Sequence, residues 1–136
     1  MTRHDRGSIA VEVAVIAPAF IFLMLLVVFA GKVSEADANV TRAASHAARA
    51  ASLRQDSDDA ASDALATATA NLDAAGVRCA DLEVTVDTTD LRPGGTVSVT
   101  VDCVASMADV TLIGVPGSRT FTARAVEVVD TYRGQS

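Results

Sequence analysis

The sequence is poor in several things, and each shortage narrows what the chain can do. It has no Trp and one Tyr, Tyr132, and aromatic residues make up 4% of its 136 positions. Basic residues number 11 against 17 acidic ones, a formal charge of −6, which argues against nucleic acid as a partner because phosphate contacts need a basic surface. The length is too small for a barrel enzyme or a dinucleotide-binding enzyme of usual size. Two Cys, without further Cys or His at ligand spacing, do not make a structural zinc site. Neither a G-x-S-x-G elbow nor a P-loop occurs. Asp56, Asp58, Asp59 and Asp63 form an acidic cluster, but it lacks the Gly and terminal Glu of a calcium loop and reads as a solvated helix break. His4 lies near the start, and His46, between Arg42 and Arg49, reads as solvated. The expectation is no enzyme, no cofactor and no metal.

What the chain does have is a concentrated apolar beginning. Residues 1–31 hold 21 of the 68 hydrophobic residues and three of the four Phe. Among the remaining 105 residues, 47 are hydrophobic, and 21 of those are Ala. Ala contributes little buried area, so any core there is thin. From Val13 to Gly31 run 19 residues without a charge. As a helix they span roughly 28 Å, close to the ~30 Å hydrocarbon core of a bilayer. A buried core helix is the competing reading, but the rest of the chain has too little apolar surface to enclose one. The run is longer than a secretory signal's apolar region, although Ala36-Asp37-Ala38 offers a small-x-small site. No Cys lies near the span, which excludes a lipid-anchored lipoprotein.

Glu12 sits directly against this run. A carboxylate near hydrocarbon is costly, by about 2.5–3.5 kcal/mol at mid-membrane and less near the interface. Glu12 either marks the headgroup boundary or has a partner. Before it come a short basic leader with Arg3 and Arg6, then Gly7-Ser8-Ile9-Ala10-Val11-Glu12. This hexapeptide resembles the processing site of type IV prepilins. The stretch that follows, with the Ala/Arg run from Arg42 to Ala51, resembles the TadE-like branch, the minor pseudopilins of tight-adherence (Flp) pilus systems. The resemblance covers roughly residues 6–53. Val13 stands where many relatives have an aromatic residue, and Phe29-Ala30-Gly31-Lys32 lacks the Glu that many relatives carry near the outer end of the span.

The resemblance implies cleavage after Gly7 by a prepilin peptidase, with Ser8 the first mature residue and Glu12 the fifth. The new α-amine of Ser8 would then suit the Glu12 carboxylate of a neighbouring subunit. The implied partners are the lipid bilayer, the prepilin peptidase, other pilin or pseudopilin subunits and the inner-membrane assembly platform. The implied location is the bacterial cytoplasmic membrane, single pass, with the N-terminus cytoplasmic and the C-terminal part outside, or within a pilus. Pro18 frees a carbonyl inside the span and is either the seed of a kink or simply tolerated there.

Beyond the span, residues 33–75 read as helix with no Gly or Pro until Gly76. One stripe comprises Val40, Ala44, Ala47 and Ala51, and a second Ala61, Leu65, Ala68, Leu72 and Ala75. The segment Arg54–Asp59 breaks the helix, with Ser57 or Asp58 as cap of the second half. The alanine stripe suits either close partner helices or the chain's own sheet. Residues 82–87 and 97–103 alternate apolar and polar about the turn Arg92-Pro93-Gly94-Gly95, which is a hairpin, and residues 119–130 supply a third β-branched run. Cys79 and Cys103 fall at the same end of the hairpin. Alternation places Cys103 opposite residue 80 or 82 rather than 79, so pairing needs a bulge or an irregular entry at residues 78–81. A pair of Cys in a thin-cored exported domain favours a disulfide, which also sets the head on the oxidising side of the membrane; reduced core thiols are the alternative.

The expected fold class is therefore α+β: an N-terminal transmembrane helix, an alanine-rich helical stem and a small antiparallel sheet of about three strands. The expected divisions are a cytoplasmic leader 1–7, a transmembrane helix 8–32, a stem 33–76, a β domain 77–131 and a tail 132–136. The expected function is that of a pseudopilin assembly component. The rival is a small secreted or membrane-anchored binding domain released by signal peptidase.

Overall fold

A computed structural model describes residues 5–111 and 114–132, with side chains from Ala10 onward. The expected leader and tail therefore lie partly outside the described residues. The architecture is α+β. A long first helix, α1 (Asp5–Ser52), is followed by α2 (Ser57–Ala74), β1 (Asp81–Asp90), β2 (Thr96–Ser106), the short α3 (Met107–Thr111) and β3 (Ser118–Val128). The strands form an antiparallel meander in the order β1-β2-β3.

The 48 residues of α1 make a rod of about 72 Å. Its two halves live differently. Residues 10–28 are exposed throughout, whereas Ala36, Val40, Ala43, Ala44, Ala47, Ala48 and Ala51 are buried. Among the described residues nothing covers the helix from residue 10 to 28, and Val33 is the first of its residues to pack at the edge of the core. In the upper half it lies between α2 and the sheet, packing on β2 and β3. Contact with two neighbours explains why its buried stripe is two residues wide. The alanine stripe of α1 thus packs within the chain's own head.

The helix break falls where the charges cluster, but the cap is Asp56. Its carboxylate accepts from the backbone N–H of Asp58 at 2.8 Å and of Asp59 at 3.3 Å. Ser57 and Asp58, the expected caps, are the first residues of the helix itself. The reason is geometric: an N-cap must be extended, and Asp56 is (φ −103°, ψ 140°). The face of α2 also differs from the expected stripe. Ala60, Ala64, Ala68 and Leu72 are buried, while Leu65 is 48% exposed and Ala61 and Ala75 are exposed. At the close approach of α2 to α1 the methyl of Ala64 fits, and the larger Leu65 turns outward.

The end of α2 is a Schellman motif. Val77 N–H donates to the Leu72 carbonyl at 2.9 Å and Gly76 N–H to that of Asp73 at 3.0 Å. Gly76 has φ +72°, a backbone conformation that Gly adopts without strain. Val77 and Leu72 both join the core cluster, so the chain leaves the helix already anchored.

In the sheet, Val97, Val99, Val101, Cys103 and Ala105 of β2 are buried together with Phe121 and Ala123 of β3, and this face meets the helices. The opposite face is polar on β1, where Asp81, Glu83, Thr85 and Asp87 are exposed, and on β3 it presents Val126 and Val128. The hairpin turn closes through Gly95 N–H to the Arg92 carbonyl at 2.8 Å. Pro93 stands second and Gly94 third, with φ +78°, the residue order a type II turn needs. Each strand starts one residue before and ends three residues after its expected bounds, and one extra residue on β1 between Asp87 and Asp90 makes a bulge beside the turn. The connection after β2 carries the short helix α3, which the break residues Gly114, Pro116 and Gly117 do not suggest.

Candidate functional site

The residues singled out in the sequence fall in two places, the free lower half of α1 and the base of the head. Gly7 and Ser8 lie in the first turns of α1, and their side chains lie outside the described residues. The helical backbone runs across the Gly7–Ser8 bond and onward to Glu12, so Ser8 and Glu12 share one face, one turn apart. Glu12 is exposed, with Val11, Val15 and Ile16 around it also exposed. Nothing in the chain's own described residues covers this carboxylate.

The run that follows is a continuous apolar cylinder. Phe20, Ile21, Phe22, Leu23, Met24, Leu25 and Leu26 are each about half exposed or more. A soluble fold does not leave such a surface to water, since exposed apolar patches of this extent mark interaction or membrane sites. Pro18 sits inside the helix without ending it. It removes one N–H, so the carbonyl of Ala14 loses its usual intrahelical partner.

At the base of the head, Cys79 and Cys103 are joined as a disulfide, with their Cα atoms 5.3 Å apart. In register, Cys103 faces Leu82 and Phe121. Cys79 reaches it through an irregular entry before β1, where Ala80 N–H still donates to the Val104 carbonyl at 2.7 Å. Of the two routes to pairing, the irregular entry is used, and the bulge lies at the other end of the hairpin.

A second feature of the base escapes sequence reasoning. An open cleft of about 180 Å³ lies where α1 enters the head, bounded by Lys32, Glu35 and Asn39 of α1, by Gly76 to Arg78 after α2, and by Asp109 and Val110 of α3. Lys32 Nζ is 2.9 Å from Glu35 Oε2. His46 is exposed on α1, as expected. In the acidic cluster, Asp56 caps α2 and Asp63 pairs with Arg54 across the helix break.

These features define a class: a small disulfide-bonded α+β head carried on one helix that is long and apolar enough to cross a membrane. Residues 7–49 match the family model of TadE-like proteins, the family that the apolar stretch and the Ala/Arg run after Gly7–Glu12 resemble. The match begins at Gly7 and ends three residues before α1 does, so it takes in the motif, the apolar run and nearly all the rest of α1 but not α2 or the sheet. No curated protein and no solved structure matches the chain.

Proposed function

We propose that the chain is a TadE-like pseudopilin, an assembly component of a tight-adherence pilus or a related secretion system, cut by a prepilin peptidase after Gly7. The observation that carries this reading is the family match starting at Gly7, directly ahead of Glu12 and a wholly exposed apolar helix. Cleavage creates an α-amine on Ser8. An amine and the Glu12 carboxylate of a neighbouring subunit offset each other's burial beside hydrocarbon, which makes lateral assembly depend on processing. Gly7 lies in the first turn of α1, and Gly, the least helix-favouring residue after Pro, lets that turn unwind readily. The head lies outside the cytoplasmic membrane, where the disulfide is stable, and the leader lies inside.

Release by signal peptidase near Asn39 fits the structure poorly. That bond lies mid-helix, between the buried Ala36 and Val40, so cutting there would open the core. The test is mass spectrometry of the mature N-terminus in cells with an active prepilin peptidase. The expected start is Ser8, and Gly7→Val should leave the chain unprocessed. A mature protein starting at Met1 or Thr2 overturns the reading.

A further inference from the structure

We propose that the cleft at the base of the head binds the headgroup of an amine-bearing zwitterionic phospholipid, of the phosphoethanolamine class. The inference rests on α1 being the membrane anchor. Lys32 directly follows the 19-residue apolar run, and the rod is continuous, so the height of the cleft above the hydrocarbon is fixed. From Lys32 to Asn39 the axis rises about 10 Å. The polar layer of a bilayer is about 5–8 Å thick on each side. The lower part of the cleft therefore lies among the headgroups themselves.

The chemistry of the lining selects the headgroup. Two cations, Lys32 and Arg78, and two carboxylates, Glu35 and Asp109, share one cleft of about 180 Å³, well above the roughly 10–15 Å³ that admits a single water. Lys32 and Glu35 already pair with each other. Among the described residues, neither Arg78 nor Asp109 has an ion-pair partner. Arg78 offers a planar fork of donors suited to a phosphate. Asp109 accepts from a primary ammonium, which carries three N–H donors, whereas a quaternary choline carries none. A purely anionic headgroup would gain Arg78 but meet the two carboxylates. The wall bearing Arg78 is held on both sides, by the Schellman turn at Gly76 and by the disulfide at the adjacent Cys79. The backbone that carries Arg78 is therefore fixed before lipid arrives, which lowers that part of the ordering cost of binding.

The test uses the full chain reconstituted in vesicles of equal phosphatidylethanolamine, phosphatidylcholine and phosphatidylglycerol. Anchoring is read by resistance to alkaline carbonate extraction. Lipid retention is read by native mass spectrometry after gentle solubilisation. Wild type should retain one phosphatidylethanolamine in preference to the other two. Arg78→Glu and Asp109→Ala should each lower that retention about tenfold, the equivalent of 1.4 kcal/mol, with anchoring unchanged. Arg78→Gln, which removes the charge without reversing it, should fall between. Retention unchanged in these variants, equal retention of phosphatidylcholine, or a preference for phosphatidylglycerol overturns the proposal. Displacement of the lipid by inorganic phosphate alone would make the cleft a free-phosphate site and overturns it as well. Extraction of every variant by carbonate would instead defeat the anchor reading, and this proposal with it.

Discussion

The carbonyl oxygen of Asp90 occupies the place where a Cβ on Gly95 would have to stand. Gly95 is buried at the end of the hairpin turn, and its own carbonyl accepts from Val129 N–H at 2.9 Å, tying the turn to the strand β3. Because the obstacle is backbone, no side-chain motion relieves it. Gly95→Ala should therefore destabilise the head by about 3 kcal/mol or more, at or above the upper end of ordinary overpacking. Gly94→Ala meets only the Thr131 methyl at 3.1 Å, plus the strain of a positive φ. It should cost about 1–2 kcal/mol. Thermal denaturation followed by circular dichroism ranks the two, and equal midpoints for both would contradict this account.

The hairpin was legible in the sequence because its signals are local. Pro93-Gly94-Gly95 sets the turn, and strict alternation from Val97 to Cys103 sets the face. The long, exposed apolar helix was legible because nineteen uncharged residues leave few alternatives. The face of α2 was not. In a helix this rich in alanine several stripes are equally apolar, and ranking by side-chain size favours Leu65 over Ala64 when the narrow gap to α1 demands the reverse. The basal cleft was not legible either, because Lys32, Arg78 and Asp109 come from three separate segments and meet only in the fold. Gly7 and Glu12 were legible as a motif, yet the motif says nothing of the polar cleft that the same helix lines about five to six turns further on, from Lys32 to Asn39.

The Ala64–Leu65 reversal gives a direct test of helix packing. Ala64 is fully buried, so Ala64→Leu should force α1 and α2 apart and cost about 1–3 kcal/mol. Leu65→Ala should change stability by no more than about 0.5 kcal/mol, as for other surface substitutions. Denaturant midpoints of the two variants check this. A large loss from Leu65→Ala combined with a neutral Ala64→Leu would restore the stripe that the sequence pattern favours.

The disulfide closes a loop with a sequence separation of 24 in a head whose core is mostly Ala and Val. Loop-closure entropy alone gives it about 3–4 kcal/mol. The double variant Cys79→Ala/Cys103→Ala should lose most of that. Wild type should move to the same denaturation midpoint once reduced, while the double variant should not respond to reductant. A midpoint that reductant leaves unmoved in wild type would mean that the helices, rather than the bridge, hold the base of the head together.

The bulge beside the turn carries a pH dependence of its own. Asp87 accepts from the Thr89 hydroxyl at 2.7 Å and from the Thr89 backbone N–H at 3.1 Å. These bonds, the hydroxyl first, favour the ionised carboxylate and hold it below its ordinary value of 3.8, with slight desolvation opposing and Arg124 assisting least. A carboxylate whose value is depressed on folding contributes stability that is fully present above the unfolded value. That contribution fades as pH falls through the folded value, because the unfolded chain takes up the proton first. Asp87→Asn should therefore lower the melting temperature at pH 7, and the difference from wild type should shrink as pH falls below 3.8. Thr89→Val removes the principal donor and should show the same closing gap. A difference that stays constant from pH 7 down through that range would mean that the bulge is held by its backbone alone and that the charge on Asp87 contributes nothing to it.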